Sequence, residues 1–141
     1  MYSKKEKEKI HMMTQLFAQV EQWAEEEPSV EGVILVGSYA RGTQSAESDV
    51  DFCIITSEKK RLLQNQQFVE RFGTVLKRHL EFYGKCTSVR VWYAMGLEVE
   101  FGIVDPSWIA LPLDAGTAKV LKNGYQVLVD KKGCFRENTL P

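Results

Sequence analysis

The stretch Val30–Thr56, VEGVILVGSYARGTQSAESDVDFCIIT, decides the fold. It begins and ends in short apolar runs. Val30–Val36 is rich in β-branched residues and Val50–Thr56 (VDFCIIT) has the same character, so each predicts a buried strand. A glycine-bearing loop joins them, with Gly37-Ser38 at the exit of the first strand and Asp49-Val50-Asp51 at the entry to the second. Glycine at such an exit lets a phosphate approach the backbone, because no Cβ blocks it. Ser38 adds a hydroxyl and an amide donor. If a helix starts there, its free N–H groups face the anion as well.

Asp49 and Asp51 stand two apart on a strand, so their carboxylates share a face. Unpaired, they repel each other and raise one pKa. The arrangement calls for a cation. Magnesium is commonly held by one or two carboxylates together with substrate phosphates. The acid pair therefore predicts a metal, and the glycine-serine turn predicts the phosphate that shares it. Other motifs fit less well. Gly37 and Gly42 have P-loop spacing, but Thr43 stands where the lysine belongs. Cys53 and Ile54 stand where a calcium loop needs oxygen ligands.

Working outward, apolar residues at Ile10, Met13, Phe17, Val20 and Trp23 or Ala24 predict an amphipathic helix from Lys4 to Glu27, closed by Pro28. The run Lys59 to Tyr83 predicts a second long helix, with Leu62, Leu63, Phe68, Val69, Phe72, Leu76 and Leu80 on one broad face. Ser88–Tyr93 and Leu97–Val104 predict two strands in an antiparallel hairpin through Ala94-Met95-Gly96. A short helix over Thr117–Lys122, stopped by Asn123-Gly124, precedes an edge strand over Tyr125–Val129. The expected class is α+β, close to α/β, with a mixed sheet of about five strands and helices packed on it.

Composition bounds the function. The chain is 44% apolar and 26% charged with a net charge of -1, so no strong field draws it to nucleic acid or a membrane. No apolar run reaches the length of a membrane span, and the charged N-terminus is no signal peptide. Cys53, Cys86 and Cys134 form no C-x-x-C pair and read as reduced thiols, which leads us to expect a cytoplasmic location. His11 and His79, both on predicted helices, are too isolated for a histidine metal centre.

Gly37-Ser38, Arg41-Gly42 and Ser48-Asp49-Val50-Asp51 together resemble the signature of the DNA polymerase beta-type nucleotidyltransferase superfamily. The likeness is greatest to its small members, such as the antibiotic and the minimal nucleotidyltransferases. The resemblance implies magnesium-dependent transfer of a nucleoside monophosphate from an NTP, expected to be ATP, to an acceptor hydroxyl, with two magnesium ions. It implies metal ligation by Asp49 and Asp51, and phosphate binding by Gly37, Ser38 and Arg41. It also implies a third carboxylate on a later strand. LEVEFGIV offers Glu98 and Glu100 on one strand face, with Leu97, Val99, Phe101 and Ile103 on the other. Glu100 is favoured as the catalytic carboxylate, as metal ligand or general base, with Glu98 the runner-up. The family often has aspartate there, so glutamate is a modest departure.

On this reading residues 1–141 form a single domain, with an N-terminal helix over 1–28, a catalytic core over 30–104 and an extension over 105–141. The expected acceptor is a small molecule, and a homodimer building the acceptor pocket is a further expectation. Two rivals stand beside it. One is a protein-AMPylating antitoxin of a HEPN-type toxin pair, with a protein acceptor. The other is a non-catalytic nucleotide-binding regulatory module. Trp92, Tyr93 and Trp108 read first as packing residues, with substrate stacking as the alternative.

Overall fold

The structure is a computed structural model and describes residues 2–44 and 49–135. Ser48 of the signature lies outside the described residues. The chain runs α1 (Lys4–Glu26), β1 (Val30–Val36), α2 (Gly37–Arg41), β2 (Val50–Thr56) and α3 (Lys59–Gln64). A 3₁₀ segment (Gln67–Phe72) leads to β3 (Val75–Tyr83), β4 (Cys86–Tyr93) and β5 (Glu98–Val104). A second 3₁₀ segment (Pro106–Ile109), α4 (Ala115–Lys122) and β6 (Gln126–Asp130) follow.

The strands form one mixed sheet in the order β3-β4-β5-β2-β1-β6. Only β2 and β5 pair in parallel; the other described pairs are antiparallel. Alternation along each strand gives the sheet two faces. One carries Val33, Leu35, Val50, Phe52, Ile54, Val89, Val91, Val99, Phe101 and Ile103 into the main core under α1 and α3. Helix α1 is capped at Ser3 by a reciprocal bond with Glu6. It buries Met13, Leu16, Val20, Trp23 and Ala24. Leu16 takes the inward place, while Ile10 is exposed. The other face carries Ile34, Cys53, Ile55 and Val104, packed against Trp108, Ile109 and Leu121 of the C-terminal segment. Among the described residues Cys53, Cys86 and Cys134 form no disulfide.

The α+β class and the mixed sheet stand as expected, with six strands where the sequence predicts five. The additional strand lies where a long helix is expected. Lys59–Tyr83 is not one helix: it makes one short helix, a 3₁₀ segment and the edge strand β3. His79 is accordingly on a strand. The i, i+4 run of Phe68, Phe72, Leu76 and Leu80 imitates a helical face, but Leu76 is 69% exposed and packs no helix. Gly73 breaks the run. A Cβ there would press on Tyr93 Cδ1 at 3.1 Å, and from Val75 onward the backbone pairs with β4 along its length. Tertiary pairing overrides the helical period.

The first 3₁₀ segment nonetheless serves the core. Phe68 stacks on Trp23 at 4.9 Å, and Phe68 and Phe72 both contact Phe101, at 5.7 and 5.6 Å. Tyr93 donates to the Val69 carbonyl at 2.6 Å. Phe101 thus anchors β5 from below, while its neighbour Glu100 faces the opposite side. We predict that Phe101→Ala costs about 3–5 kcal/mol of stability, read from urea unfolding. A loss under about 1 kcal/mol would show that β5 is held some other way.

Candidate active site

The acids are placed by strand register. Parallel pairing sets Asp51 of β2 against Glu100 of β5, as Val50 is set against Val99. Glu98 lies one pleat earlier, beside Asp49. The four carboxylates form a ladder on the sheet face opposite the main core. Antiparallel pairing adds Arg90 of β4 opposite Glu100, and Trp92 opposite Glu98. Glu81, on β3 opposite Ser88, completes the group.

Arg90 is the hub. Its Nε donates to Glu81 Oε1 at 2.7 Å, its Nη1 to Asp49 Oδ2 at 3.0 Å and to Glu98 Oε2, and its Nη2 to Glu100 Oε2 at 3.4 Å. The hydrogen bond to Glu81, with the other acids, raises the guanidinium pKa further above its ordinary value. The same bond holds the Glu81 carboxyl below the usual range. Asp51 makes no ion pair with Arg90 among the described residues. Burial, and then the adjoining Glu100 carboxyl, push Asp51 up to about 7. Burial, and then Glu98, push Asp49 upward.

Gly37 lies immediately behind Asp51. Its backbone has φ +74°, which favours glycine, and a Cβ there would collide with the Asp51 carboxylate. The glycine of the signature therefore makes room for the acid. Ser38 follows in the first turn of α2, half-buried, its carbonyl taken by Thr43 N at 2.9 Å. Arg41 is exposed at the end of α2, with its stem near Gly124 and no ion pair to the ladder among the described residues. The structure therefore brings Gly37, Asp49, Asp51, Glu98 and Glu100 together, and among the described residues Arg41 makes no ion pair with these acids.

A cavity of about 640 Å³ adjoins the ladder, lined by Asp51, Glu100, Ser88, Gly102, Trp108 and Thr117 among others. Two further lining residues, Lys85 of the β3–β4 turn and Asp114 at the start of α4, pair at 3.4 Å. Trp108 is packed into the second core while also lining this cavity. Trp92 lies 5.0 Å from the His79 ring, with Lys77 Nζ 5.1 Å from its own ring. The Cys53 thiol is buried and pushed up by that burial, so it stays a packing group.

The donor set fits magnesium. It is all oxygen, and four carboxyl groups pair with one guanidinium while Asp51 adjoins them, leaving negative charge unbalanced. Among the described residues no three acids already form a metal cage. Arg90 Nη1 occupies the space between Asp49 and Glu98 instead. An ion completing its shell with phosphate oxygens needs only one or two of these carboxylates.

Arg90 and Glu81 were not foreseen from the sequence. Counting back through the Ala94–Gly96 turn pairs Trp92 with Glu98 and Arg90 with Glu100, so Arg90 was within reach of sequence reasoning. Glu81 was hidden by the helical reading of its strand.

Residues 18–104 match the nucleotidyltransferase domain family. The chain belongs to that family. Among solved structures it is similar to an aminoglycoside 6-adenyltransferase from Bacillus subtilis, with 13% identity over 77% of this chain and 37% of that one, at a TM-score of 0.51. It is also similar to the Cid1 poly(U) polymerase, with 18% identity over 72% of this chain and 31% of that one, at a TM-score of 0.45. The chain spans about a third of the length of these two proteins, and the first likeness supports the shared fold. No curated protein sequence matches the chain. Among the described residues no helix is long and apolar enough to cross a membrane.

The Asp51 environment sets a pH dependence. Folding raises its carboxyl from an ordinary value to about 7, so the folded protein binds the extra proton. Stability of the metal-free protein should then fall as pH rises from about 4 to about 7. Urea midpoints in chelator at about pH 5 and about pH 8 test this, and Asp51→Asn should flatten the difference. An unchanged slope in the variant would place the titration elsewhere.

Proposed function

We propose that this chain is a magnesium-dependent nucleotidyltransferase moving a nucleoside monophosphate from ATP to the hydroxyl of a small-molecule acceptor. One observation carries the reading: Asp51 and Glu100 lie side by side in the β2–β5 register, directly in front of Gly37. In this reading 30–104 is the catalytic core. Asp49, Asp51 and Glu100 hold two magnesium ions, with Glu98 adjoining. Glu100 is preferred because it pairs with Asp51 and is the more buried of the two, its side chain 16% exposed against 29% for Glu98.

Bound magnesium would neutralise phosphate charge and act as a Lewis acid toward the reacting phosphoryl group. The chain's own residues do the rest. The Gly37 turn and Ser38 bind the outer phosphates. Arg41 meets the nucleotide's phosphate edge from the end of α2. A glutamate of the 98/100 pair accepts the proton of the acceptor hydroxyl. The new bond joins that oxygen to the α-phosphorus, and the bond to pyrophosphate breaks. The reaction needs positioning and charge neutralisation, with no covalent intermediate on the protein.

The cavity beside the ladder supports a small acceptor. Its volume falls in the usual range for ligand sites, and its walls come from β4, β5 and α4 of one chain. A cavity of this size beside the acids suits such an acceptor; a pocket across a homodimer interface and a HEPN-type partner protein are the alternatives. The intact acid ladder favours turnover over a purely regulatory nucleotide module.

A screen of NTPs against hydroxylated small molecules, with pyrophosphate detection, tests the proposal. Asp49→Asn and Asp51→Asn should each reduce release to background while the far-UV circular dichroism is kept. NTP binding without pyrophosphate release under any acceptor would overturn the catalytic reading.

The two glutamates are separable. Glu100→Gln should cost several kcal/mol of transition-state stabilisation, the scale of a lost metal ligand, and Glu98→Gln much less. Kinetics over a magnesium series decide between them; a dead Glu98→Gln beside a near-normal Glu100→Gln exchanges the roles.

A further inference from the structure

Every nitrogen of the Arg90 guanidinium is engaged by a carboxylate. Nη1 bridges Asp49 and Glu98, Nη2 reaches Glu100, and Nε holds Glu81. Two of those acids, Asp49 and Glu100, are the ones the proposed reaction needs for metal. The fourth, Glu81, lies on the edge strand β3, away from β2 and β5. It also accepts from Tyr83 Oη at 3.1 Å and lies 3.6 Å from His79 Nε2. The guanidinium therefore spans two groups of partners. One group is the ladder at the centre of the sheet; the other is Glu81 at its edge. Only arginine, with donors on three nitrogens in a fixed plane, spans both at once. The core face of β4 needs no such group, because Val89 and Val91 are fully buried there.

We propose that Arg90 is a built-in counter-cation, a positioning residue that balances the acid ladder without metal and yields Asp49 and Glu100 to metal while staying held by Glu81. The inference rests on the reading of Asp49, Asp51 and Glu100 as the metal site. On this account a divalent ion alone must displace one positive charge to enter. A metal–triphosphate brings further ligands and does so more readily, so Arg90 favours the loaded nucleotide over the bare ion.

The test is manganese binding to the nucleotide-free full chain, read from the free-ion electron paramagnetic resonance signal, beside thermal melting. Arg90→Met keeps the apolar stem and removes the charge. It should tighten manganese binding by about tenfold or more, as expected when one like charge within a few ångströms is removed. Its metal-free melting temperature should fall and recover on adding the ion. Arg90→Lys, which keeps the charge but not the span to Glu81, should bind manganese no more tightly than the wild type. Glu81→Gln should weaken binding in the wild-type background and have little effect in the Arg90→Met background, because Glu81 acts through the arginine. If Arg90→Met does not fold, Arg90→Gln carries the same expectation.

Unchanged or weaker manganese binding in the neutral variants would overturn the inference, leaving Arg90 a structural ion-pair residue. Manganese failing to bind the wild type and the variants, with or without ATP, would instead overturn the metal-site reading beneath it.

Discussion

The arrangement depends on one constraint, the parallel register between β2 and β5. That pairing sets Asp51 against Glu100, two like charges on adjacent strands. Left to themselves the acids would repel, and nothing local favours the match. The register is held from the opposite face. Val50, Phe52 and Ile54 of β2 and Val99, Phe101 and Ile103 of β5 are all buried in the main core. A slip of one residue would turn those side chains to the acid face and the acids into the core. Hydrophobic burial thus forces together the groups that electrostatics would separate, and the Arg90 guanidinium offsets part of the repulsion within the chain.

The segment after Val104 completes the apolar part of the sheet face that carries the acid ladder. Trp108, Ile109 and Leu121 cover Ile34, Cys53, Ile55 and Val104, so the second face is apolar at one end and acidic at the other. The cavity lies where the two meet. Gly102 lines it where no side chain fits, since a Cβ there would come within 2.9 Å of Cys86 Sγ. The packing that completes the second core therefore also walls the cavity beside Asp51 and Glu100. Lys85 and Asp114 join the β3–β4 turn to α4 across that wall.

Much of this was legible in the sequence, for physical reasons that differ between regions. Val30–Val36, Val50–Thr56 and the hairpin of β4 and β5 declare themselves because their residues alternate or are continuously apolar between clear breaks. Gly37, Asp49 and Asp51 stand out because two acids one pleat apart are costly, and the structure brings the three together. The stretch from Lys59 to Tyr83 misleads, because Phe68, Phe72, Leu76 and Leu80 keep a helical spacing although Leu76 and Leu80 are exposed. Exposure on an edge strand is a property of the assembled sheet and leaves no local trace. The same misreading concealed Glu81, and with it the far anchor of Arg90.

The most direct test of the central claim is the location of manganese in crystals of the protein with a non-hydrolysable ATP analogue, found by anomalous scattering. The account predicts anomalous peaks beside Asp49, Asp51 and Glu100, with the outer phosphates at Gly37 and Ser38 and Arg90 drawn toward Glu81. Manganese bound away from these acids, with the analogue seated elsewhere, would contradict it.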